Sequence, residues 1–247
     1  MKKDRCLDNN QYVCYKICRV KLLFKKRYVY PKGYKVRSIT EQTNILRQLF
    51  PGIGYADERI VKGPLPEGAE GWFAIPRWEN IASSYNEAVE KMLELIRQQR
   101  KGRFCNYRAG RLGPYYLKQT EKATMMFHKI EQEQKGYDIL VVPAQFGLRH
   151  RNLFVEQARA VMNAGEFGFG AFAVGIMLLI HPEREVQWEQ LHVQCAGDDF
   201  SNLIHGEWSR APLFDFNDDE IKFGAGWFLS TYAHYGSASG FVSPSSV

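Results

Sequence analysis

Two stretches of the chain carry side chains whose types and spacing suit chemistry. The first is DILVVPAQFGLRHR, residues 138–151: an apolar run at 139–142, Pro143, then Gln145, Arg149, His150 and Arg151. Strand ends commonly mount binding and catalytic loops, because the strand fixes the base of the loop while its tip is free to vary. Arg149 and Arg151 suit a phosphate or carboxylate held by forked hydrogen bonds. His150 lies between two cations, which disfavour its charged form where they are close; that suits a neutral base, with Gln145 orienting a ligand. Along extended backbone, however, residues 149 and 151 share one side and 150 faces the other. The second stretch is CAGDDF, residues 195–200. Asp198 and Asp199 could bind a cation, act as acid and base, or make a turn, and the turn is the favoured reading. The catalytic candidates are therefore Gln145, His150, Asp198 and Asp199, and the anion-binding candidates are Arg149 and Arg151. An enzyme acting on a phosphorylated or otherwise anionic small molecule would need the loops after residues 142 and 195 side by side.

Other constellations are weaker. Cys14 and Cys18 form C-x3-C with Cys6 upstream. A structural zinc site usually needs two ligand pairs, and no second pair follows, so no metal site is expected. Alternation places Cys195 on the opposite face from His192, so Cys195 is expected to be a core thiol and not half of a dyad. Gly52 and Gly54 lack a third glycine at dinucleotide spacing. There is no P-loop, no HExxH and no G-x-S-x-G, and no cofactor is implied.

Charge is the second signal. The net charge is +6, but its distribution is uneven. Residues 1–50 hold 13 Lys+Arg and 3 Asp+Glu; residues 51–100 hold 6 and 8; residues 101–151 hold 10 and 4; residues 152–247 hold 4 and 12. The two basic blocks either form a face for a polyanion or meet the acidic block inside the fold. Both blocks interleave cations with aromatic rings. Cations neutralise phosphates and rings stack on unpaired bases, so this is the composition of a single-strand-binding surface. The residues expected to contact nucleic acid are Lys25, Lys26, Arg27, Lys35 and Arg37 in the first block, and Arg103, Arg108 and Arg111 in the second. Binding of a polyanion, nucleic acid foremost, is the leading expectation. A structural or interaction protein, with the acidic 198–220 region meeting a basic partner or the chain's own N-terminal arm, is a further one.

The elements that must position these residues follow from periodicity and punctuation. Residues 19–30 and 34–39 read as two strands about a Pro31-Lys32-Gly33 turn. Residues 40–50 read as a helix stopped by Pro51-Gly52. Residues 52–78 read as a glycine- and proline-rich loop plugged into the core by Trp72, Phe73, Ile75 and Trp78. Ser84 and Glu87 form a capping box that opens a helix to about residue 100. Another helix is expected over 115–134, with Met125, Met126 and Phe127 in the core and Gly136 as a left-handed cap. Residues 139–142 read as a strand covered on both faces and ended by Pro143. A helix over 154–163, a buried helix over 168–180 and a strand over 191–195 follow. Residues 212–216 and 221–223 read as a hairpin about 217–220. YGSASGF, residues 235–241, reads as flexible, and 243–247 as a frayed tail.

These elements predict an α+β fold class, with one mixed-sheet core and packed helices over residues 38–242. A basic N-terminal β-hairpin or arm over 1–37 precedes it and the tail over 243–247 follows. The longest apolar run, 171–180, is too short to span a bilayer, so no membrane partner is expected. The opening MKKDRCLDNN lacks an apolar h-region, so a cytoplasmic setting with reduced thiols is expected. VVPAQFGLRHR, FGFGAFAVGIMLLIHPER, CAGDDF and YGSASGF together resemble segments of an uncharacterised bacterial protein family with no assigned activity. The resemblance spans most of residues 50–242. It implies a recurring single domain and carries no catalytic residue over.

Overall fold

The computed structural model describes residues 28–185, 187–229 and 233–242, which form an α+β fold. In chain order the elements are α1 (Ile39–Leu49), β1 (Gly71–Pro76), α2 (Tyr85–Gln99), β2 (Phe104–Asn106), β3 (Leu117–Gln119), α3 (Glu121–Glu133) and β4 (Ile139–Gln145). There follow α4 (Val155–Val161), β5 (Glu166–Gly168), α5 (Ala171–Ile180), β6 (His192–Gln194), β7 (Asp198–Phe200), β8 (Arg210–Asn217), β9 (Glu220–Trp227), β10 (Tyr235–Ser237) and β11 (Ser239–Phe241). Short 3-10 turns lie at Glu58–Lys62, Trp78–Asn80 and Pro182–Arg184.

One sheet has the order β1-β4-β11-β5, with every neighbouring pair antiparallel. The other runs β10-β6-β8-β7-β3, with β9 on β8 and β2 on β9. In it β10–β6 and β2–β9 are parallel pairs. A single residue, Ala238, carries the chain from one sheet to the other. Its N–H donates to the Gln194 carbonyl at 3.2 Å and its own carbonyl accepts from Phe169 N–H at 3.0 Å.

Helix α5 is apolar all round, and all ten of its residues are buried. A helix with no polar face belongs inside the core, where each large side chain contributes about 1.5–3 kcal/mol by leaving water. It packs on α2 and β1. Gly175 lets Met92 of α2 lie directly on the α5 backbone, since a methyl group there would overlap the thioether. The N-cap of α5 is Gly170, which offers no side chain. Asp198 caps the helix from β7 instead, accepting from the Ala171 N–H at 2.7 Å.

Strand β4 is buried along its whole length and lies between β1 and β11. It does not end at Pro143, which pairs with Trp72 in mid-strand. The Ala144 carbonyl accepts from Glu70 N–H, so the polar backbone groups of Ala144 face β1. Alternation turns the donor-free nitrogen of Pro143 toward β11, where pairing has already stopped at Gly240↔Ala144. Proline is tolerated because no partner waits for its amide.

Several other sequence expectations need correction. Residues 71–76 form strand β1 and not part of a long loop, with Phe73 and Ile75 buried. The helix expected from residue 115 begins only at Glu121, capped by Thr120, because 117–119 pairs with β7 as β3. Met125 is 60% exposed, while Met126 and Phe127 pack against the core. Asp198 and Asp199 sit in a strand and not in a turn. Residues 235–241 form two buried strands; their small side chains serve close packing, not flexibility. Ser84 accepts from Glu87 N–H as expected, but the Glu87 carboxylate reaches back to Ser83. The turn at 31–34 forms, with Gly33 at φ +88° and Tyr34 N–H donating to Pro31. No strand follows it: Ser38 caps α1 instead. The first strand of that hairpin falls largely outside the described residues. The 217–220 hairpin is as expected, with Asp218 and Asp219 both at positive φ in a two-residue turn.

Candidate functional site

The side chain of Gln145 closes the loop that follows β4. Its Oε1 accepts from the N–H groups of Gly147 at 2.7 Å and Arg149 at 3.3 Å. Its Nε2 donates to the Ser237 carbonyl and to Ser239 Oγ, both at 2.8 Å. The loop then turns Arg149 and His150 onto Glu166 of β5. Arg149 Nε donates to Oε2 at 3.2 Å, His150 Nε2 lies 2.6 Å from Oε1, and Ser239 Oγ donates to Oε1 at 2.6 Å. Burial alone would raise the Glu166 pKa. Hydrogen bonds from His150 and Ser239, with the charges of His150 and Arg149, outweigh it and hold the carboxyl below its ordinary value.

The other flank of the loop is equally tied. Tyr30 accepts from Leu148 N–H at 3.0 Å and donates to Glu70 at 2.6 Å. Buried Arg184 donates to the carbonyls of Leu191 and Phe146, with its guanidinium 3.9 Å from the Tyr30 ring centre. Thus three of the expected residues, Gln145, Arg149 and His150, do come together, but around a protein carboxylate. Arg149 is matched by Glu166, and His150 is buried. Arg151 is not a member of this cluster; its backbone bridges to Gly236. The segment is a structural junction between β4, β5 and β11.

Asp198 and Asp199 serve different partners. Asp198 is fully buried and accepts from the Tyr85 hydroxyl at 2.8 and 2.9 Å. Burial pushes its pKa up to about 7, against hydrogen bonds from Ala171 and Tyr85. Asp199 lies 3.0 Å from Arg159. Among the described residues no hydrogen bond joins Asp198 to Gln145, Arg149 or His150. Cys195 is buried, and burial followed by the Asp198 charge raises its pKa, which makes it an unreactive thiol. Two buried pairings had no counterpart in the sequence reading: the Glu166 cluster, and His192 Nδ1 lying 2.9 Å from Glu185. Glu166 did leave a signal, as the only charged residue between positions 160 and 180. His192 was assigned the polar face of its strand, yet both faces of β6 are covered.

The basic block at 101–118 keeps an open surface. Its sequence, KGRFCNYRAGRLGPYYLK, holds five cations and no acid. β2 pairs with β9 and β3 with β7, while Asn86 donates to the carbonyls of Leu112 and Leu117, fixing the base of the loop. Arg108 works inward: it donates to Asn202 and to the Ala225 carbonyl and lies over Phe200. Lys118 lies over the Trp208 ring, 4.4 Å from its centre. Lys101, Arg103 and Arg111 are exposed and, among the described residues, form no ion pair. Tyr107 and Tyr115 of the same block are 50% and 58% exposed, and the Tyr115 ring lies edge-on to His205 with centres 5.7 Å apart. Of the first block, Lys35 is exposed, and Arg37 makes a forked pair with Glu183 at 2.6 and 3.0 Å. Lys25, Lys26 and Arg27 lie outside the described residues, as do Cys6, Cys14 and Cys18. Arg100 donates to the Pro182 carbonyl and senses the Arg103 charge, so Arg37 and the start of the second block approach the same 3-10 turn.

No protein-family model, curated protein or solved structure matches the chain. Among the described residues no helix is long and apolar enough to cross a membrane. No group of three or more His, Cys, Asp or Glu among them is placed to hold a metal ion.

Proposed function

We propose that the protein binds nucleic acid as a polyanion, in single-stranded form, through the surface built by residues 101–118. The observation that supports this is the set of exposed cations, Lys101, Arg103 and Arg111, left without ion pairs in a block that contains no acid. Several acids of residues 152–247 are engaged elsewhere. Glu166 and Glu185 are buried against histidines, Asp199 pairs with Arg159 and Asp218 with Lys222. Among the described residues Arg37–Glu183 and Arg149–Glu166 link this stretch to the basic blocks, and neither involves residues 101–118. Lys101, Arg103 and Arg111 would supply phosphate contacts, and Tyr107 and Tyr115 would stack on bases.

Fluorescence anisotropy with a labelled single-stranded oligonucleotide, titrated against salt, tests this reading. The triple variant Lys101→Gln, Arg103→Gln, Arg111→Gln should bind more weakly. It should also flatten the slope of log K against log salt by about 2, since each phosphate contact on a single strand contributes roughly 0.7. Tyr115→Ala should cost about 1–3 kcal/mol if a base stacks there. No binding of DNA or RNA at low salt ends the proposal.

A further inference from the structure

A second site of opposite character lies elsewhere on the molecule. A cleft of about 140 Å³ opens between α3 and the N-terminal ends of α2 and α5. Trp78, Tyr85, Phe127 and Phe172 line it, together with His128, Arg77 and the carboxylates of Glu79 and Glu131. Trp78 and Phe172 each meet Tyr85 edge to face, at interplanar angles of 85° and 67° with ring centres 6.3 and 6.5 Å apart. Such contacts set the rings as adjoining walls instead of a closed stack.

Two carboxylates and one guanidinium, that of Arg77, line the cleft, which leaves it one net negative charge. Arg77 turns its guanidinium to the carbonyls at the end of α3, donating to Glu131 O at 2.9 Å, Gln134 O at 3.2 Å and Tyr137 O at 2.8 Å. His128 stands 3.8 Å from the Glu131 carboxylate, outside hydrogen-bond range, with 68% of its side chain exposed. Neither Glu79 nor Glu131 accepts a side-chain hydrogen bond among the described residues, although the Glu131 side chain is only 17% exposed. Burial, followed by the neighbouring Glu79 charge, holds Glu131 above its ordinary pKa, against the opposing charges of Arg77 and His128. Behind the wall, Tyr85 donates to Asp198, and that hydrogen bond adds electron density to its ring.

Ring faces attract positive charge through their quadrupole, and nearby carboxylates supply the opposite sign. Four apolar rings suit an organic cation; a bare metal ion would need more oxygen ligands than two. We propose that this cleft binds a small alkylammonium cation, on the order of ten non-hydrogen atoms or fewer, against Trp78, Tyr85 and Phe172 with Glu131 and Glu79 as counter-ions. A polyanion would be repelled here, so this site is independent of the basic surface at 101–118.

Isothermal titration calorimetry of the full chain with choline and with 3,3-dimethyl-1-butanol, its uncharged isostere, tests the assignment. Choline should bind with a Kd of about 1 mM or tighter, and the isostere about tenfold more weakly or worse. Glu131→Gln keeps the shape of the wall and removes a poorly solvated charge, so the fold should be retained while choline binding weakens about fivefold or more. Glu90→Gln, outside the cleft, should leave binding unchanged. Equal affinity for the two compounds, undiminished choline binding by Glu131→Gln, or no heat at about 20 mM choline would each overturn the proposal.

Discussion

At the scale of single residues, the buried polar groups are mostly occupied. His150, Glu166, Glu185, His192 and Asp198 are all buried, and each has a protein partner within hydrogen-bond distance. Titration of a group whose pKa differs between the folded and unfolded chain acts on stability, and Asp198 is such a group. Its folded-state pKa of about 7 exceeds its ordinary 3.8 because of burial, so the folded protein holds this proton more tightly than the unfolded chain. Stability from this group thus falls as pH rises from about 4 to about 7. His181 has the opposite sign. Burial lowers its pKa from 6.5 to about 4, so the stability of its neutral, buried form is lost as pH drops through that window. Asp198→Asn retains an acceptor for the Ala171 N–H and removes the first contribution alone. Urea denaturation at pH 4.5, 6 and 7.5 should then show stability rising with pH more steeply in the variant than in the parent. Parallel profiles would show that Asp198 is ionised throughout.

At the scale of elements, packing distances decide what each glycine is for. A methyl group at Gly236 would overlap the Gly147 carbonyl oxygen, a backbone atom with nowhere to go. A methyl group at Gly175 would meet the thioether end of Met92, which can swing aside. Gly236→Ala should therefore cost about 3 kcal/mol or more and Gly175→Ala about 1 kcal/mol, compared by chemical denaturation. The reverse order would mean that the β10–loop junction relaxes more easily than the α2–α5 contact. The same argument explains why YGSASGF reads as flexible and is not. Small residues in a linear sequence carry no sign of whether solvent or a neighbouring backbone fills the space beside them. Pro143 misleads for a related reason: whether its missing donor ends a strand depends on the neighbour, and here β11 has already turned away.

At the scale of the whole molecule, charge is segregated, and few ion pairs link the basic blocks to the acidic one. Partly exposed pairs such as Arg37–Glu183 contribute about 1 kcal/mol, so they do little to offset repulsion among the unpaired cations. The thermal midpoint should rise on going from about 20 to 200 mM salt, where the screening length falls from roughly 20 Å to below 10 Å. A polyanion such as heparin should raise it further by binding the folded state. Differential scanning fluorimetry reads both, and a midpoint insensitive to both would mean that the basic surface is electrostatically silent. By itself the sequence determined the elements whose cause is local. The α2 N-terminus at Ser84, the 217–220 hairpin, the turn at 31–34 and the buried helix within 168–180 follow from caps, left-handed residues and hydrophobic period. It also determined the charge segregation, because composition needs no geometry. The partners were decided only by the tertiary structure. Glu166 lies 16 positions from His150 and 73 from Ser239, and Asp198 lies 113 from Tyr85. Chain-distant groups such as these meet only when strands pair. Arg149 and His150 of the Arg-His-Arg segment meet the Glu166 carboxylate of β5, a partner that only strand pairing could supply.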